Sequence, residues 1–160
     1  MTIRRLENIG IVVEDLKAAV DFFQQLGLTL LGEATVEGDW VDRVVGLDQV
    51  RSEIAMLQTA DGHGRLELMR FARPTAHPGE GAAPANTLGI RRIAFAVDDI
   101  DASVAGLTAR GIALVGDVVT FQDAYRLCYV RGPEGIIVML SEELVDPASG
   151  DRASDAPPPD

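Results

Sequence analysis

Cysteine, histidine and aromatic residues are all scarce in this chain. The single thiol, Cys128, excludes an internal disulfide and any cysteine-rich metal centre. A lone cysteine flanked by apolar residues reads as packing rather than as a nucleophile. The two histidines, His63 and His77, fall in a Gly-rich turn and a Pro-rich stretch, so both read as solvated loop residues. Aromatics make up 5% of the chain, with one tryptophan, Trp40. A wide cleft for a large cationic drug would carry more of them. No apolar run approaches the roughly 20 residues of a membrane span. No basic, apolar signal peptide opens the sequence, which makes the cytoplasm the expected location.

Basic residues are also in the minority. Fourteen Lys and Arg face 25 Asp and Glu, for a net charge of −11. That balance argues against nucleic acid and anionic membranes as partners. It suits a cationic ligand, or simply solubility. Part of it sits in residues 144–160, which hold four aspartates, one arginine and Pro157-Pro158-Pro159 and read as a disordered acidic tail. At 160 residues and 47% hydrophobic content, the rest is one compact domain or two small modules sharing a core.

What the chain does have is an internal repeat. Asn8-Ile-Gly-Ile-Val-Val-Glu-Asp-Leu16 aligns without a gap on Arg92-Ile-Ala-Phe-Ala-Val-Asp-Asp-Ile100. The same offset of 84 residues places Phe23 on Leu107, Gly27 on Gly111 and Gly32 on Gly116. Two similar modules related by a pseudo-twofold axis follow, with a ligand expected in the cleft between them.

Periodicity orders each module as βαβββ. Residues 3–13 alternate as a strand, Asp15 caps a helix closed by Gly27, and 28–36, 50–58 and 64–71 read as strands. The turn Asp61-Gly62-His63-Gly64 makes the last two a hairpin. Residues 1–72 are thus the first module and 73–87, rich in Pro and Gly, the linker. The second module, 88–143, repeats the order: a strand at 88–97, a helix at 99–110, and strands at 112–119, 124–131 and 135–142. Gly132-Pro133-Glu134-Gly135 turns its final hairpin. Residues 37–49 have no counterpart in the second module. Val41, Val44 and Val45 could share one face of a short helix there, beside Trp40 and Arg43. The segment is either a lid over the cavity or a surface loop anchored by its tryptophan.

Strand parity separates the faces. Ile9, Ile11 and Val13 share the bulky face that packs on the helix, leaving Asn8, Gly10 and Val12 on the other. In the repeat Ile93, Phe95 and Val97 oppose Arg92, Ala94 and Ala96. Glu67 points away from Leu66 and Leu68, and Met139 takes the matching place between Val138 and Leu140. Tyr125 and Tyr129 share one parity, Arg126 and Cys128 the other. Small residues with one polar group suggest a ligand space in each copy.

These repeated segments, together with the Gly132–Gly135 turn and its following apolar strand, resemble the vicinal oxygen chelate superfamily: glyoxalase I, bleomycin-resistance proteins, methylmalonyl-CoA epimerase, fosfomycin-resistance enzymes and extradiol dioxygenases. The resemblance spans about residues 3–143. It implies an α+β fold in which two βαβββ modules, in pseudo-twofold arrangement, form a curved sheet around a central cavity. Metal-dependent members carry His, Gln or Glu near the start of strands one and five and within strands four and eight. The resemblance carries those positions onto Asn8, Glu67, Arg92 and Met139, of which only Glu67 is a usual ligand. No metal and no other cofactor is therefore expected.

The expected activity is that of a metal-independent, glyoxalase-like lyase or isomerase moving a proton next to a carbonyl. Glu67 would be general base, and Arg92 would hold a substrate carboxylate or developing enolate. Asn8, Trp40, Arg43, Tyr125, Tyr129 and Met139 are the expected substrate-binding side chains. The alternatives are a metal-free protein that sequesters a drug or metabolite, as bleomycin-resistance proteins do, and a metal-dependent lactoylglutathione lyase or dioxygenase. Exposed sheet edges point to a homodimer. A small molecule is the expected ligand.

Overall fold

A computed structural model describes residues 3–144 of the chain; all of the proposed tail except Leu144 lies outside the described residues. The first sheet holds β1 (Ile9–Val12), β2 (Thr29–Glu37), β3 (Arg51–Gln58) and β4 (Arg65–Arg73). Its order is β1-β4-β3-β2, with β1 parallel to β4 and the other pairs antiparallel. The second holds β5 (Arg92–Ala96), β6 (Val119–Phe121), β7 (Tyr125–Arg131) and β8 (Ile137–Glu143), ordered β5-β8-β7-β6 in the same sense. The repeat in the sequence is therefore a repeat of topology. The two modules keep separate sheets, each ending in a short edge strand, β1 or β5, that pairs only within its own module.

Helices α1 (Leu16–Gln25) and α3 (Ile100–Thr108) start alike. The Asp15 carboxylate accepts from the Ala18 amide at 2.9 Å, and the Asp99 carboxylate from the Ala102 amide at 2.9 Å. Each satisfies one of the orphan donors of a first turn. Phe23 and its counterpart Leu107 are both fully buried. The two modules share one core, formed by Leu57, Leu66 and Leu68 of the first sheet, Cys128, Val138 and Leu140 of the second, and both helices. Phe23 meets Phe95 edge-on across the module boundary, ring centroids 6.3 Å apart. Gln25 Nε2 donates to the Gly106 carbonyl at 2.7 Å, and the Glu14 amide donates to the Glu134 carboxylate at 2.7 Å.

Four expectations need correction, the first being the strand expected at 88–97, which is found only over β5 (Arg92–Ala96). The strand expected at 112–119 is absent. Only an isolated bridge, Leu114 to Val130, and the short β6 remain, because the chain bends at Val115-Gly116 between them. The opening strand is four residues rather than eleven, since residues 3–7 find no partner strand. In the 37–49 insertion α2 (Asp39–Val45) forms, but its valines do not share a buried face. Val41 packs inward, whereas Val44 is 77% exposed and Val45 43%. Asp42 ties the insertion down by accepting from the Gln49 and Val50 amides at 2.8 and 2.7 Å.

Candidate functional site

Parity holds along the paired strands. Leu66 and Leu68 are buried while Glu67, between them, is half-buried on the opposite face, and Val138, Met139 and Leu140 repeat the arrangement. Register fixes the neighbours. Glu67 lies between Gly10 of β1 and Met56 of β3, and Met139 between Ala94 of β5 and Tyr129 of β7. Asn8, one step before β1, donates from Nδ2 to Glu67 Oε2 at 2.9 Å. One carboxylate oxygen is thereby held, and the other has no hydrogen bond among the described residues.

In the second module Arg92 takes the place of Asn8. Its Nη1 donates to the Tyr129 hydroxyl at 2.8 Å, and its guanidinium carbon lies 5.7 Å from the Tyr129 ring centre. Arg92 is exposed and Tyr129 half-buried. Glu67 and Arg92 form no salt bridge; each is held by a neighbour in its own module. Glu67 thus stands in an acidic half-site and Arg92 in a basic one.

The remaining expected residues scatter. Tyr125 is half-buried at the start of β7, opposite Phe121 and Glu143. Trp40 is 60% exposed and Arg43 exposed on α2, so the tryptophan does not anchor the segment in the core. Cys128 is buried, and burial pushes its thiol pKa up. Arg126, of the same parity, forks onto Asp101 at 2.7 and 2.8 Å. Two residues of the Glu67 face went unnamed from sequence. Met56 sits beside Glu67, and Met69 reaches so close to Gly10 that a β-carbon there would stand 2.9 Å from its methyl. Alternation with buried Ala55, Leu57 and Leu68 was the signal that would have found both.

The four family positions differ in the donors they offer. A guanidinium cannot ligate, a thioether is a soft donor, and the Asn8 amide already points its nitrogen at Glu67. These side chains do not fit a hard divalent ion. Among the described residues no group of three or more His, Cys, Asp or Glu gathers elsewhere.

Two clefts flank the open edges of β1 and β5. One, about 380 Å³, runs between β1 and the β7–β8 turn and includes Gly79–Gly81 of the linker, Arg91, Arg92 and Arg131. Its counterpart, about 810 Å³, runs between the β5 edge and the β3–β4 turn. Neither includes Asn8, Glu67 or Met139, which lie on the open sheet faces.

A duplicated βαβββ unit with matched polar positions on two open sheet faces defines a paired-module α+β protein. The chain belongs to the glyoxalase/bleomycin resistance protein/dioxygenase superfamily, whose model matches residues 7–129. It is similar to a glyoxalase family protein from Bacillus cereus, with 49% identity, a TM-score of 0.88, and 91% of this chain and 97% of that one covered. A further relative is the uncharacterized protein YaeR of Escherichia coli, 27% identical over 88% of this chain and 98% of YaeR. The fold also matches the fosfomycin resistance protein FosX from Listeria monocytogenes, complexed with Mn(II), at 14% identity and a TM-score of 0.56, covering 89% of this chain and 96% of that one. No helix among the described residues is long and apolar enough to cross a membrane.

Proposed function

We propose that this chain is a metal-independent enzyme that moves a proton next to a carbonyl, a lyase or isomerase of small oxo-compounds. One observation carries the reading: the Glu67 carboxylate, steadied by Asn8 at 2.9 Å, and the Arg92 guanidinium, steadied by Tyr129 at 2.8 Å, occupy the matching faces of the two modules. Glu67 takes the proton from the carbon beside the carbonyl. The electron pair left behind moves onto the carbonyl oxygen, and Arg92 holds that developing enolate. Asn8 keeps Glu67 oriented, and Glu67 returns the proton to the same carbon or, in a 2-hydroxy ketone, to the former carbonyl carbon while the hydroxyl proton passes to the oxygen that Arg92 held, leaving the carbonyl on the adjacent carbon. A fixed guanidinium here supplies the positive charge that a metal supplies in metal-dependent members.

The active form on this reading is a homodimer. Both polar faces and the β1 and β5 edges are open in one chain, and a second copy that covers them brings an acidic and a basic half-site onto one ligand. Light scattering should give twice the 17.1 kDa chain mass; a monomer mass at working concentration contradicts the pairing.

The proton-transfer test is deuterium wash-in. A panel of 2-oxo acids and 2-hydroxy ketones in D2O, followed by proton NMR, should show enzyme-dependent exchange at the carbon beside the carbonyl. Glu67→Gln should abolish it, and Arg92→Met should slow it by about 100-fold. Tight binding without exchange favours the second reading, a sequestering protein. That reading has its own support: Met56, Met69 and Met139 line the same faces, and methionine adapts to varied ligands.

A further inference from the structure

The Arg91 side chain has a place in the fold that the proton-transfer site does not use. Its Nη1 donates to Glu80 Oε2 of the linker at 3.2 Å, while its Nε is buried with no acceptor. A buried, unpaired guanidinium N–H signals a missing acceptor. Arg131 stands in the same cleft, with Nη1 given to the Gly135 carbonyl at 2.8 Å. Each guanidinium has five N–H donors in a fork that suits an oxyanion. The rest of the lining is largely aliphatic, from Ile9, Ile11, Ile90 and Ile136. The cleft is lined by Arg91 and Arg131 against Glu80 and Glu134, and Arg92, which the proton-transfer reading also uses, makes it positive by one in a chain of net charge −11. One of those glutamates, Glu134, is already occupied by the Glu14 amide.

We propose that this cleft, beneath the inter-module linker, is a second ligand site that takes a small aliphatic carboxylate. Arg91 grips the carboxylate through the Nε–Nη2 edge of its guanidinium, beside the Nη1 that Glu80 holds, Arg131 adds a second positive charge, and the isoleucines take the aliphatic body. Glu80 is the chain's own occupant of the site. Its side chain is 66% exposed, so exchanging it for an incoming carboxylate costs little. The site does not depend on Glu67 and is expected whether or not that residue performs catalysis.

Butyrate and inorganic phosphate are the probes, titrated into the full chain at constant ionic strength while the Arg91 Nε–H resonance is followed by NMR. Butyrate should shift that resonance saturably and more tightly than phosphate. Arg91→Gln should weaken butyrate binding, read by calorimetry, by about tenfold, the scale of a charge-assisted hydrogen bond. Glu80→Gln should tighten it by about threefold, because the competing carboxylate is gone. Glu33→Gln removes an exposed charge outside the cleft and should leave it unchanged. The proposal is overturned if butyrate gives no saturable shift, if phosphate binds and butyrate does not, or if Glu33→Gln matches Glu80→Gln. Glu80→Gln removes no core contact, so the test survives if Arg91→Gln fails to fold.

Discussion

The two modules share a backbone and differ in charge. At matching strand positions the first sets Asn8 against Glu67, and the second sets Arg92 against Tyr129 with Met139 in the glutamate's place. Their cores agree closely: Asp15 and Asp99 cap alike, and Phe23 and Leu107 are equally buried. Helix-facing positions are bound by packing density, where a lost methylene is felt at once. Open-face positions carry no such constraint, so the same fold presents a carboxylate on one side and a guanidinium on the other.

If that division is right, core changes should be symmetric and face changes asymmetric. Leu68→Ala and Leu140→Ala empty matching, fully buried sites. Each should cost about 2–5 kcal/mol in denaturant unfolding, and because the core is shared both should lower one cooperative transition. Two separate transitions would mean that the modules unfold independently. Gly135→Ala should be next in size, at about 1–3 kcal/mol, with no equal in the first module. Gly135 has φ +75°, and a β-carbon there would stand 2.4 Å from the Gly81 carbonyl oxygen.

The polar pairs should separate the modules on a smaller scale. Asn8→Ala strips the hydrogen bond from half-buried Glu67 and should cost about 1 kcal/mol. Tyr129→Phe frees an exposed arginine that water can solvate and should stay within about 0.5 kcal/mol. Equal losses would erase the distinction between the half-sites. The smallest effect is at acid pH. Asp101 stands where the first module has Lys17, and hydrogen bonding to Arg126 holds its carboxyl below the usual range. A depressed folded value contributes stability above the unfolded aspartate pKa of about 3.9, and that contribution is lost as pH falls through the folded value. Asp101→Asn should therefore lower stability slightly at neutral pH, converge with the wild type in strong acid, and so flatten the acid limb of the stability profile.

Much of this was legible in the residues, and for one reason. The repeat and strand parity are backbone-periodic signals, and they fixed topology, helix caps and the side on which Glu67, Arg92 and Met139 stand. Long-range pairing was not legible. Nothing local told that residues 112–118 would miss a ladder, or that Arg92 would turn to Tyr129, 37 residues on, rather than to Glu67. Helical spacing in 39–45 was readable, but which of its valines meets the core depends on how α2 sits on β2. Arg91 and Arg131 acquire meaning only when the linker crosses the β7–β8 turn.

The central claim is that Arg92 fills the role a metal plays in metal-dependent members, and metal content tests it most directly. The purified chain, loaded in turn with zinc, manganese, nickel and ferrous iron and then desalted, should retain far less than one ion per chain by mass-spectrometric elemental analysis. Arg92→His should raise that retention by replacing a side chain that cannot ligate with one that can. About one ion per wild-type chain, lost in Glu67→Ala, would contradict the account.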